Sequence, residues 1–375
     1  MNALAGPGAI CVDVETDASG RVASLAVHSS RPAGLGQVFV GRLGEDAPAL
    51  AGQLFSLCGF SHAAAARLAI FAARGEATVT ADVFSVAVGL AAEEIAESLR
   101  SIALGWPSLE GSAEIARVAA PLREAMSAAR LISTAAGRGE AHARRAELAL
   151  AAERLSNASE RLGLQSSAPQ RPTPGSLFAA RLAEAQAETF VEAQAPDALR
   201  PADAAAVAQA LREGRDRFAA APVLPDRVVE TGAFARHWRE TAENESALAA
   251  RLAARFLAIS EAIEAMRQAL STGEANAGER ATALPLGAGE GFAAVDTARG
   301  RLYHWLRLDA DERVLDYAML APTEWNFHPA GPFAAALRGA KVGAGYAARL
   351  RMRRLAAVFD PCVGFQVALR EPADA

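Results

Sequence analysis

Apolar and polar residues alternate at the start of the chain, with Ile10, Val12 and Val14 in one phase and Cys11, Asp13 and Glu15 in the other. A period of two marks a half-buried strand. Asp17-Ala18-Ser19-Gly20 supplies a turn and residues 22–27 the return, so the pattern predicts a hairpin over 9–28. Cys11 lies in the phase opposite the core, which makes it a bystander rather than a ligand.

From residue 46 the period lengthens to that of a helix. A first helix over 46–57 breaks at Cys58-Gly59, and a second over 61–74 takes Ser61 as its cap. Phe84, Val88, Ala91, Ile95, Leu99 and Ile102 form the stripe of a third helix, capped by Thr80 and stopped by Gly105-Trp106-Pro107. Glu93, Glu94, Glu97 and Arg100 read as its solvated face. Helices follow over 114–132, 142–162 and 177–194, and Pro201 opens another near its first turn. The Pro- and Ser-rich run 165–175 reads as an exposed linker. Leu248, Leu252, Phe256, Ile259, Ile263, Met266 and Leu270 form a long stripe suited to a bundle core.

The last quarter changes period again. Leu302, His304, Leu306 and Leu308 alternate with Tyr303, Trp305 and Arg307, a polar turn follows, and residues 314–320 return as a second hairpin. A final helix over 344–357 leads into Asp360-Pro361-Cys362. Pro361 pushes Asp360 out of the helical region, so Cys362 is offered from a stiff, extended approach. The pattern therefore predicts a mainly α chain. It forms a single domain over 1–375, with a helical body over 46–272 and small hairpins near both ends. The second hairpin and the cysteine segment occupy 290–368.

Composition agrees. Hydrophobic residues make up 51% and aromatics only 6%, so much of the apolar content is alanine, which favours closely packed helices. With 43 acidic and 38 basic residues, net charge −5, nothing marks a nucleic-acid or anionic-membrane surface. No apolar run reaches the roughly 20 residues that cross a bilayer. No basic segment followed by an apolar run opens the chain, so no secretory signal is expected. Three irregularly spaced cysteines suit a reducing cytoplasm.

Chemistry rests on Cys58 and Cys362. The fold is expected to bring them together from opposite ends of the chain. Two thiolates with a nearby histidine can bind a soft or borderline metal, although cysteines at such spacing are more often simply buried hydrophobes. A structural zinc site would need four ligands in close pairs, which are missing. Cys58 at a helix start could also be a nucleophile, but no local signature selects His62, His304 or His328 as its base. Gly137-Arg138-Gly139-Glu140 lacks the ending of a phosphate loop. Asp296-Thr297-Ala298-Arg299-Gly300, taken alone, suits a surface ion pair.

In order along the chain, these stretches resemble the [NiFe]-hydrogenase large subunit. That family carries Arg-x-Cys-Gly-x-Cys-x-x-x-His near its start and Asp-Pro-Cys-x-x-Cys-x-x-His near its end. Cys58-Gly59-Phe60-Ser61-His62 matches the second half of the first motif, and Asp360-Pro361-Cys362 the start of the last. Asp296 to Gly300 resembles Glu-Ala-Pro-Arg-Gly, and Pro322-Thr323-Glu324-Trp325-Asn326 resembles Pro-Thr-Thr-Trp-Asn. A second register, with Cys58-Gly59 on the first motif's Cys-Gly, loses the cysteine-to-histidine spacing and the ungapped helix.

The departures matter as much. Phe55 stands at the first motif's leading cysteine, Phe365 at the last motif's second, and Ala368 at its histidine. So few residues follow Ala368 that the cleavable extension of a hydrogenase precursor is expected to be missing. Two thiolates cannot build the family's four-thiolate nickel site, so neither hydrogen turnover nor nickel is expected, and the chain should not be an enzyme. The pattern is similar to the HupK/HoxV-type hydrogenase maturation proteins. That resemblance implies a scaffold for a transient Fe(CN)₂CO unit, with the large-subunit precursor and HypC-type chaperones as partners. It places Cys58 and Cys362 on iron, His62 on the Cys58 sulfur, Arg299 against a cyanide and Asp360 beside them. Two other readings stay open: a metal-free mimic of the large subunit, and a subunit like the cysteine-less relatives in respiratory NADH:quinone oxidoreductase.

Overall fold

Strand β1 (Ala9–Thr16) buries Ile10, Val12 and Val14 and leaves Asp13 and Glu15 exposed, as the alternation requires. It pairs antiparallel with β2 (Val22–Ser29) and, on its other edge, parallel with a strand from the far end of the chain. The computed structural model describes residues 8–32, 34–76, 80–107, 112–275 and 280–372.

The body is helical. It comprises α1 (Ala47–Leu54), α2 (Gly59–Arg74), α3 (Thr80–Leu104), α4 (Ser112–Gly137), α5 (Arg145–Leu162), α6 (Leu177–Gln186), α7 (Ala204–Ala220), α8 (Ala233–His237) and α9 (Ala247–Thr272). Helix α9 is the axis. All seven residues of its stripe are buried, and it packs against α3, α5, α6 and α8. The 177–194 helix stops earlier than its pattern suggested, at Gln186. The side chain of Thr80, the expected cap of α3, lies outside the described residues. The run 165–175 forms turns tied back by Thr173 N–H to Gly163 O and by Gln170 to Glu240 O.

Two short strands, β3 (Asp197–Ala198) and β4 (Val229–Glu230), pair in parallel beside α7 and α8. A four-stranded antiparallel sheet follows, made of β5 (Ala281–Gly287), β6 (Glu290–Thr297), β7 (Gly300–Leu308) and β8 (Val314–Leu320). The second hairpin is β7–β8; β5 and β6 extend it. One face, with Val295, Leu302 and Leu306, packs on α2; the other, with Phe292, Tyr303 and Trp305, packs beneath α7. Because both faces are covered, β6 is buried almost throughout and shows no polar alternation.

Short helices α10 (Pro322–Asn326) and α11 (Pro332–Leu337) lead to α12 (Gly345–Phe359), and β9 (Gly364–Arg370) then joins β1 with Ile10 opposite Phe365. The chain thus closes end on end in a three-stranded sheet, β2-β1-β9. Among the described residues no helix is long and apolar enough to cross a membrane.

Three local expectations are corrected. Helix α2 begins at Gly59, so Ser61 sits inside its first turn and is not the cap. The carboxylate of Glu93, from α3, instead accepts the N–H groups of Phe60 (2.7 Å) and Ser61 (3.0 Å) and the Ser61 hydroxyl. Glu93, Glu94 and Glu97 are not a solvated face. Elements pack around α3 on this side, and Glu94 and Glu97 are only 2% and 4% exposed, each paired with arginine. Asp360 leaves the right-handed region, but into the left-handed one (φ 51°, ψ 69°) rather than into extended backbone.

Candidate functional site

The loop between α1 and α2 ends at Cys58, whose carbonyl accepts the N–H of His62 (3.0 Å) as the first turn of α2 forms. The turn after α12 ends at Cys362, whose N–H is accepted by the Thr323 hydroxyl (3.3 Å). That hydroxyl donates in turn to the Cys362 sulfur (3.3 Å). Both cysteines are half-buried free thiols lining one cavity of about 200 Å³, together with Arg31, Phe55, His62 and Arg299. Burial pushes the Cys58 thiol well above its ordinary range, and the neighbouring Cys362 and Glu93 add to this against the pull of Arg299.

Arg299 follows β6 and is 5% exposed. It reaches Glu97 (3.2 Å) through Nη2, while its Nε lies 3.4 Å from Asp360 without a hydrogen-bond partner. Asp360 accepts from Ser101 Oγ (2.6 Å) and lies 3.4 Å from Arg255. Burial alone would raise the Asp360 carboxyl, but Arg299, Arg255 and the Ser101 bond together hold it below the usual range. The ion pairs hold Arg299 in place and keep Asp360 charged under the cysteine turn.

His62 is buried beneath Phe55, the two rings stacked with centroids 3.6 Å apart. Its Nδ1 meets His304 Nε2 (2.9 Å), and His304 Nδ1 meets the Tyr317 hydroxyl (2.7 Å). Burial holds both imidazoles neutral, His304 down at about 3. Among the described residues His304 is the hydrogen-bond partner of the buried Tyr317 hydroxyl; with the Tyr317 proton on His304 Nδ1, His304 Nε2 donates to His62. The ring bond of His62 therefore runs to His304; none joins it to the Cys58 sulfur.

Of the positions singled out in the sequence, Cys58, Cys362, His62 and Arg299 line one cavity and Asp360 supports its floor. Cys11 lies on β1, its sulfur 3.9 Å from Gln366 on β9. Sequence reasoning missed Arg31 and Thr323. Thr323 stood inside a motif already noted, whereas Arg31 follows two serines with nothing to mark it. Among the described residues no group of three or more His, Cys, Asp or Glu side chains could hold a metal ion. The cavity offers two soft donors with guanidinium groups beside them. Such a set suits a small unit that brings ligands of its own, not a bare ion needing four protein donors.

Residues 234–367 match the nickel-dependent hydrogenase family model. The hydrogenase expression/formation protein HupK of Rhizobium leguminosarum bv. viciae is 40% identical over 375 residues, covering all of both chains. This chain belongs to the HupK/HoxV family of hydrogenase expression/formation proteins. HupK of Bradyrhizobium diazoefficiens is 33% identical over 97% of this chain and 98% of its own. HoxV of Cupriavidus necator is 31% identical over 94% of each. The fold of this HupK/HoxV member is that of hydrogenase large subunits. A Ni-Fe-Se hydrogenase from D. vulgaris Hildenborough superposes with TM-score 0.64 at 14% identity, over 92% of this chain and 94% of the other. An NAD⁺-reducing [NiFe]-hydrogenase gives 0.60 at 15% identity, over 93% and 94%.

Proposed function

We propose that this chain is a hydrogenase maturation protein that holds an Fe(CN)₂CO unit as cargo between Cys58 and Cys362 and yields it to a large-subunit precursor. It works in the reducing cytoplasm, takes the unit from a HypC-type chaperone and has no hydrogenase activity. The observation that supports this reading is that two thiols far apart in the sequence line one cavity with the buried Arg299. The two sulfurs would ligate iron, and the guanidinium would donate to a cyanide ligand. Two protein ligands hold less tightly than four, which suits a protein that must release what it carries. Metal analysis with infrared spectroscopy of anaerobically purified protein tests this. Cyanide and carbonyl bands are expected, and they should disappear in Cys58→Ala.

A second reading, a metal-free mimic of the large subunit, draws on the missing third ligand among the described residues. Iron-free protein that still restores hydrogenase in a deletion strain, with both cysteines replaced, would favour it.

A further inference from the structure

The cavity holding the two thiols shares a wall with a second cavity of about 280 Å³. Arg31, Leu35, Phe55, His62 and Ala321 line both. The second cavity continues past Glu324 to Asp216, His328 and His28, and the His28 side chain is 57% exposed; the thiol cavity also reaches the surface, at Leu54. At the shared wall Arg31 Nη1 donates to Glu324 Oε1 (2.7 Å), both side chains largely buried at 15% and 13% exposure. Arg31 follows the end of β2. Glu324 lies in the first turn of α10, next to the Thr323 that bonds Cys362. The turn that fixes one thiol therefore also positions the acid facing Arg31.

Only one of the five N–H groups of Arg31 is committed to Glu324, and no other hydrogen bond of its side chain occurs among the described residues. A guanidinium so placed has donors left for a second acceptor. Glu324 at the wall and Asp216 further out oppose it, so an anion is admitted without being trapped.

We propose that the second cavity is a charge-selective passage by which small anions, or anionic metal fragments, reach Cys58 and Cys362, with Arg31 as the group that admits and orients them. The identity of the cargo rests on the carrier reading above, but the passage itself is testable without iron. Metal-free protein is alkylated in parallel with anionic iodoacetate and neutral iodoacetamide, and mass spectrometry reads each cysteine separately. Cys11, on the terminal sheet, serves as the reference.

The iodoacetate-to-iodoacetamide ratio should be higher at Cys58 and Cys362 than at Cys11. Arg31→Gln should lower it about fivefold at both, Arg31→Lys should keep it, and Glu324→Gln should raise it about twofold. Salt at about 0.5 M should flatten the preference. A ratio within twofold of the wild type in Arg31→Gln, or an equal fall at Cys11, overturns the passage. If Arg31→Gln does not fold, an unchanged ratio in Glu324→Gln overturns it. Preference without cyanide bands in anaerobic protein would remove the carrier reading and leave the passage. Bands without preference would do the reverse.

Discussion

The ring of Phe55 lies flat on that of His62, centroids 3.6 Å and planes 12° apart, at the edge of the two-thiol cavity. Phe365, the other phenylalanine that the motif resemblance sets against a cysteine, is placed differently. It packs with Phe327 and Phe333 (centroids 6.2 and 5.6 Å) where β9 joins the terminal sheet. One position faces the cavity, and the other packs half-buried against the core beneath the terminal sheet. Phe55→Cys should therefore add a third sulfur and tighten Co²⁺ about tenfold or more, with stronger thiolate-to-cobalt absorption. Phe365→Cys should leave Co²⁺ binding unchanged and cost about 1–3 kcal/mol of stability in urea unfolding. Equal tightening by both substitutions would contradict the placement of β9.

Glu93 ties the first turn of α2, and so Cys58, to α3. Burial raises its carboxyl to about 7, against the three hydrogen bonds it accepts from Phe60 and Ser61. The unfolded chain releases this proton near 4.5, so between about pH 4.5 and 7 the native state binds more protons than the unfolded one. Stability must then fall as pH rises through that window, by up to about 3 kcal/mol. Glu93→Gln, which cannot ionise, should show a flatter profile in urea unfolding at pH 5 and pH 7.5. Identical slopes in the two proteins would mean that Glu93 stays ionised throughout.

Much of this was legible in the sequence. The β1 alternation, the α9 stripe and the β7–β8 return each carry the period of their element, and the four matched stretches pointed to the residues that line the cavity. The failures have physical causes. Strand β6 hides because both its faces are covered, so the run from Phe292 to Val295 has no polar phase. Strand β9 does alternate, with Phe365, Val367 and Leu369 in one phase, but a reading of that stretch as a metal motif obscured it. The acidic run on α3 looked like a solvent face because its partners, Arg236 and Arg299, are remote in sequence. Arg31 is invisible without the fold, since only the third dimension sets it opposite Glu324.

Gly89 of α3 lies under the ring of Phe60, and a Cβ built there would run into it. A glycine inside a helix ordinarily costs about 1 kcal/mol relative to alanine, so Gly→Ala is expected to stabilise. Here the sign should reverse. Gly89→Ala should destabilise by about 1–3 kcal/mol, because the Phe60 ring is packed against both neighbouring core clusters and cannot give way without disturbing them. In a Phe60→Ala background the same substitution should become neutral or favourable. Additive effects across that double-mutant cycle would show that the two residues do not press on each other.

Asp360 holds the cysteine turn to the helical body through Ser101 on α3, Arg255 on α9 and Arg299. Its left-handed backbone, which asparagine also tolerates, makes Asp360→Asn the cleanest way to remove the charge alone. The change leaves two buried guanidiniums short of an anion and should cost about 3–5 kcal/mol near neutral pH. Ser101→Ala, which removes one donor, should cost about 1–2 kcal/mol. Because the native carboxyl titrates below its ordinary 3.8, the charge contributes in full above that range. Its contribution is lost as the pH falls through the native value. The stability gap between wild type and Asp360→Asn should accordingly be largest at pH 6 and shrink on acidification below about pH 4. A gap that stayed constant down to pH 3 would show that shape and hydrogen bonding, not charge, hold Cys362 in place.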